Sequence, residues 1–99
     1  MNDMSAITLG DERDHYWLAV SMAKAAGIDL VAAVEAGGLT HEGWADVVQR
    51  CRGCAWEREG GGCSRWLEAQ EAGMADVPHS CVNHNIFEGL EGYRAARDL

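Results

Sequence analysis

The sequence predicts an all-α domain, a small bundle of about five short helices with a four-cysteine site at helix ends. Three observations lead there. Apolar residues recur at the i, i+3, i+4 and i+7 spacing of an amphipathic helix, glycines separate these runs, and no alternating run is long enough for a strand.

The first helix is expected over about residues 11–26, with Leu18, Met22 and Ala25 or Ala26 on its inner face. Asp11, Glu12 and Asp14 suit its positive N-terminal end, Lys24 suits its last turn, and Gly27 is placed to stop it. Asp29 is expected to cap a second helix, "LVAAVEA", that ends at Gly37 and Gly38. Thr40 is expected to cap a third. There Trp44, Val47, Val48, Cys51 and Cys54 or Ala55 form one stripe, until "EREGGG" breaks the helix near residue 58. A fourth helix begins around Cys63 or Ser64 and carries Trp66 and Leu67. "ADVPHS" is a loop, because Pro78 disfavours helix at the residue before it. The last helix starts near Asn83 and turns Ile86 or Phe87, Leu90 and Tyr93 inward.

At 99 residues the chain has the length of one domain, and an apolar fraction of 47% is ordinary for a globular one. Residues 1–10 are expected as a flexible N-terminal segment, and residues 11–99 as a single helical domain with its cysteine site over 51–81. The opening "MNDMSAITLGDERD" has no basic region leading into an apolar one, and no apolar run is long enough for a bilayer. A cytoplasmic protein is expected, with no membrane partner. A formal net charge of −8 argues against a nucleic-acid partner. Charge is nevertheless uneven: residues 50–65 sum to +2 and the rest of the chain to −10. The basic patch coincides with the cysteines.

Those cysteines follow the pattern C-x2-C-x8-C-x17-C. Two cysteines at i and i+3 share a helix face with Cβ atoms about 5–6 Å apart. That suits two ligands of one metal centre and is wide for a disulfide. Cys63 and Cys81 fall at or just before helix starts, where backbone N–H groups and the helix dipole favour a thiolate, as do nearby arginines. Stable disulfides are uncommon in a reducing cytosol. An iron–sulfur cluster of the four-iron type on Cys51, Cys54, Cys63 and Cys81 is therefore the leading expectation, with Trp44, Trp56, Trp66 and Phe87 as its apolar surround. Zinc is the alternative, with His84 able to replace Cys81 as fourth ligand because the two repeat the i, i+3 spacing. A disulfide or reversible thiol pair and inert buried thiols complete the range. Arg50, Arg52, Trp66 and Asn83 are expected around the ligands. Asn83 could cap the final helix, donate to a ligated sulfur, or do both.

His15, His41 and His79 read as exposed or capping residues. Trp44, Trp66, Leu67, Ile86 and Phe87 read as core. No nucleophile–base spacing, phosphate loop or dinucleotide fingerprint is present, so an enzyme is not expected.

The segments "LAVSMA", "GIDL", "AGGL", "VQRCRGC", "CSRWL" and "CVNHNIF", in order over roughly residues 15–90, resemble a family of small bacterial proteins, frequent in alphaproteobacteria, catalogued as a domain of unknown function. The resemblance implies a helical protein whose pattern includes Cys51, Cys54, Cys63, Cys81, Trp66, Leu67 and Asn83. It supplies no activity. The expected function is a metal-binding, redox-responsive binding or regulatory module acting on a protein partner. The alternatives are a zinc- or disulfide-stapled interaction module and a thiol oxidoreductase using Cys51 and Cys54.

Overall fold

The computed structural model describes residues 9–70, 73 and 75–94. The first eight residues of the expected N-terminal segment, and residues 95–99 of the expected domain, lie outside the described residues. Six α-helices follow in order among the described residues: α1 (Glu12–Ala25), α2 (Leu30–Glu35), α3 (His41–Arg52), α4 (Ala55–Arg58), α5 (Gly62–Glu68) and α6 (His84–Gly89). A short 3-10 turn, Glu91–Tyr93, closes the chain's described part. The one β-like feature there is an isolated antiparallel bridge between Ile28 and Arg94.

The first three helices begin as their sequences direct. Asp11, Asp29 and Thr40 each accept a hydrogen bond from the backbone N–H three residues on, at 2.9–3.0 Å. Each relieves an N–H group that the helix itself cannot satisfy. α1 ends at Ala25, and Gly27, the residue after its C-cap, has a φ of 77° that admits glycine and strains other residues. A Cβ there would also sit 3.1 Å from the Cα of Gly73, where the α5–α6 connection passes.

α1 packs most extensively on α3 and also meets α5, while α4 packs on α5. The core between them comprises Ala19, Met22, Ala23, Ala33, Val47, Val48, Phe87 and Leu90, all buried. Small alanines on α1 let the α3 backbone approach closely, and Met22 and Phe87 fill the remaining volume. Gly10 ties the entry of α1 to the end of α3: its N–H donates to the Arg52 carbonyl at 3.0 Å, and Arg52 Nε donates to the Gly10 carbonyl at 2.8 Å.

Three expectations need correction. The third helix does not run to residue 58. It ends at Arg52, with Gly53 as C-cap, and Cys54 turns extended (φ −67°, ψ 120°) before α4 starts. Glycine's low helix propensity sets the break within the C-x2-C pair instead of after it. Ile86 is 39% exposed and Phe87 is buried, because neighbours on a helix point about 100° apart and a six-residue helix has one inward face. Asn83 stands at the N-cap position of α6 but its side chain makes no capping bond.

Candidate functional site

Cys51 is the penultimate residue of α3, Cys54 the N-cap of α4, and Cys63 the second residue of α5; Cys81 lies in the turn before α6. Cys54, Cys63 and Cys81 are buried and Cys51 is half-buried. Local backbone chemistry puts them there. The Gly53 break turns Cys54 away from the helical course of α3. Gly60 and Gly61, both at positive φ, let the chain reverse between α4 and α5. Gly62 has no Cβ because the Trp56 ring and carbonyl occupy that space. A turn closed by the Cys81 N–H on the Pro78 carbonyl, followed by the His84 N–H on the Cys81 carbonyl, presents the last cysteine.

The four thiols are unbridged and share one electrostatic neighbourhood. Burial pushes the Cys63 thiol up to about 12, and charge at Cys81, Glu57, Cys51 and Cys54 adds to the shift. Burial likewise pushes Cys51 up to about 12, with Cys54, Cys81 and Glu57 contributing. Cys81 is raised by burial, opposed by the Asn83 backbone N–H that donates to its sulfur, and raised again by Cys54. Cys54 Sγ also approaches the Ser80 carbonyl at 4.0 Å. Cys63 thus senses all three other cysteines, which come from α3, the α3–α4 break and the turn before α6. Among the described residues, no three His, Cys, Asp or Glu side chains stand close enough to hold a single metal ion as they lie.

The expected lowering of thiol pKa by arginines is not found. Each of these guanidinia donates to an oxygen. Arg52 also donates to Gln49, Arg58 donates to the Gly53 carbonyl, and Arg65 to the Gly60 carbonyl. Arg50 is tied to the site through Asn83: its Nε donates to Asn83 Oδ1 at 2.8 Å, while Asn83 Nδ2 donates to the Val47 carbonyl at 2.9 Å. Asn83 is 2% exposed. Its side chain therefore pins the Cys81 turn to α3, and its backbone N–H faces the sulfur. Donation of an N–H to sulfur favours the thiolate a metal requires.

Glu57 is the participant that sequence reasoning missed. It accepts from the Ser64 N–H at 2.9 Å and the Ser64 hydroxyl at 2.6 Å, so a carboxylate from α4 satisfies the start of α5. The signal was a Glu seven residues ahead of a helix-start Ser, too remote for a capping box. Trp56 and Trp66, on α4 and α5, pack with ring centroids 6.2 Å apart. Trp44 stands elsewhere, against Tyr16, about 10 Å back along the α3 axis from Cys51. A helix stripe seven residues long spans too far for both its ends to face one site. His84, the alternative ligand, stacks on His79 with centroids 4.4 Å apart.

Four thiols, three of them buried, with one N–H donor to sulfur and flanking indoles, make a soft donor set of the kind that thiophilic metals and clusters take. Burial raises Cys51, Cys63 and Cys81, which keeps these three protonated near neutrality, so a metal bound there would displace their protons. No helix among the described residues is long and apolar enough to cross a membrane.

No curated protein and no solved structure matches the chain. The model of a family of unknown function, DUF6455, matches residues 6–93, and the chain belongs to that family.

Proposed function

We propose that this member of the DUF6455 family is a redox-responsive binding module built on an iron–sulfur cluster ligated by Cys51, Cys54, Cys63 and Cys81. The observation that carries the reading is the position of Cys63, which senses the charge of the other three thiols although they come from separate elements. A cluster there would join α3, α4, α5 and the turn before α6. When bound, such a group can gain or lose one electron. This chain's residues would hold it, shield it with Trp56 and Trp66, and transmit its presence to α3 through Asn83.

The sequence pattern favours a cluster over one zinc ion, because one C-x2-C pair is followed by two single cysteines where protein-only zinc sites usually show two such pairs. His84 would have to leave its stacking on His79 to serve as a zinc ligand. The thiol-oxidoreductase alternative needs a depressed, accessible thiolate, and Cys51 is shifted the other way.

Anaerobic purification and reconstitution with ferrous iron and sulfide test the proposal. The expected product is brown, with iron and acid-labile sulfide at about four each per chain. A colourless protein without iron or sulfide overturns it. One tightly held zinc per chain would establish the structural-zinc alternative.

A further inference from the structure

A groove of about 370 Å³ runs between α1, α2 and α3, at the end of α3 remote from the cysteines. Leu30, Val34 and Trp44 line it, and Tyr16 and Val31 border it. It is open to solvent, and Val31 is 66% exposed, a large apolar side chain that the fold leaves uncovered. We propose that this groove docks a basic amphipathic helix of a partner protein.

Two features select that occupant. The groove is open along its length, unlike the enclosed pockets that surround most of a small ligand. An amphipathic helix seats apolar anchors at i, i+3, i+4 and i+7 in such a groove. Charge supplies the second feature. Glu35 lies at the groove, and Tyr16 is shared with an adjoining depression formed by Asp11, Glu12, Arg13 and Asp14. One carboxylate therefore lies on the apolar strip and three more on the adjoining depression, against the single guanidinium of Arg13. A helix anchored by its apolar face would bring flanking lysines or arginines over those carboxylates, which steers encounter and fixes orientation.

A second copy of this chain fits less well. Arg50, Arg52, Arg58 and Arg65 each donate to a carbonyl or side chain of the same chain, so they offer no free basic helix face. The groove is shaped by aliphatic and aromatic packing of α1–α3 and holds no cysteine. Its docking role stands or falls independently of the cluster.

The test titrates the full chain with two synthetic amphipathic helices that share one leucine face, one carrying lysines and the other glutamates. Calorimetry gives affinity and amide chemical shifts give location. The lysine peptide is expected to bind, with shifts centred on Tyr16, Val31 and Trp44, and the glutamate peptide to bind at least tenfold more weakly. Val31→Ser, at an exposed position that leaves the core intact, is expected to weaken binding about tenfold. Asp14→Asn combined with Glu35→Gln is expected to weaken it several-fold at low salt and hardly at high salt. Equal binding of both peptides, shifts centred elsewhere, or indifference to Val31→Ser would each overturn the proposal. Self-association of the free protein through these residues, without peptide binding, would overturn it in favour of a second copy.

Discussion

The two ends of α3 are held by different means. Around His41 and Trp44, α1, α2 and α3 each start on a side-chain cap and close over an aliphatic core. Around Cys51, the neighbours α4, α5 and α6 are four, seven and six residues long, and none has a side-chain bond at its N-cap. Helices that short are marginal on their own. What holds them is a set of specific ties: Glu57 to Ser64, Asn83 to Val47 and Arg50, Trp56 to Trp66, and sulfurs gathered among them. Under the proposed function, a bound centre would add one more tie to this second end.

The contrast can be broken most forcefully by hydrogen exchange with and without the reconstituted centre. Amides of α5 and α6 are expected to gain protection on loading by at least tenfold, while those of α1 stay unchanged. Equal change in both regions would show that the molecule responds as a single unit.

Next in size is Asn83→Ala, which removes two side-chain hydrogen bonds from a buried position. Urea denaturation is expected to show a loss of about 2–3 kcal/mol. Asn83→Asp keeps an acceptor for Arg50 but loses the donor to Val47, so it should be intermediate. A cost below about 0.5 kcal/mol for the alanine variant would mean that the tie contributes little.

Alkali probes the sulfur end alone. In metal-free protein, Cys51 and Cys63 titrate near 12 when folded, and their ordinary value is 9.0. Above about pH 9 the unfolded chain binds fewer protons at these thiols than the folded one, so stability falls as pH rises toward 12 and is flat below. The urea midpoint measured against pH is expected to decline over that window, and less so in a variant with the four cysteines replaced by serine. Identical declines would place the cause outside the thiols.

The smallest expected effect lies at the other end. Thr40→Ala removes the α3 cap and is expected to cost about 1 kcal/mol, with iron content after reconstitution unchanged. Lost iron content would show that the two ends are tightly coupled.

The caps at Asp29 and Thr40 were legible in the sequence because each acts over three residues, whereas Asp11, read there only as an acid suited to the helix dipole, proves to be the cap of α1. The helical class was legible too, since the period of Met22, Ala26, Val47 and Val48 reflects what burial requires. The cysteine end was harder to read. Cys54 continues the apolar spacing of α3, and that periodicity masked the local stop signal of Gly53, which ends the helix before it. Asn83 looks like a cap, and only the approach of α3 across thirty-six residues gives its amide a better partner in Val47. The arginines promised an electropositive site, but loop carbonyls take up their donors and burial then governs the thiols.

Native mass spectrometry of anaerobically reconstituted protein, run beside Cys51→Ser, Cys54→Ser, Cys63→Ser and Cys81→Ser, tests the shared centre most directly. The wild-type chain is expected to carry the mass of one four-iron, four-sulfide cluster, and each single variant to lose it or hold a smaller, labile remnant. An intact, stable cluster in the Cys63→Ser or Cys81→Ser chain, or no bound iron in the wild type, would contradict the account.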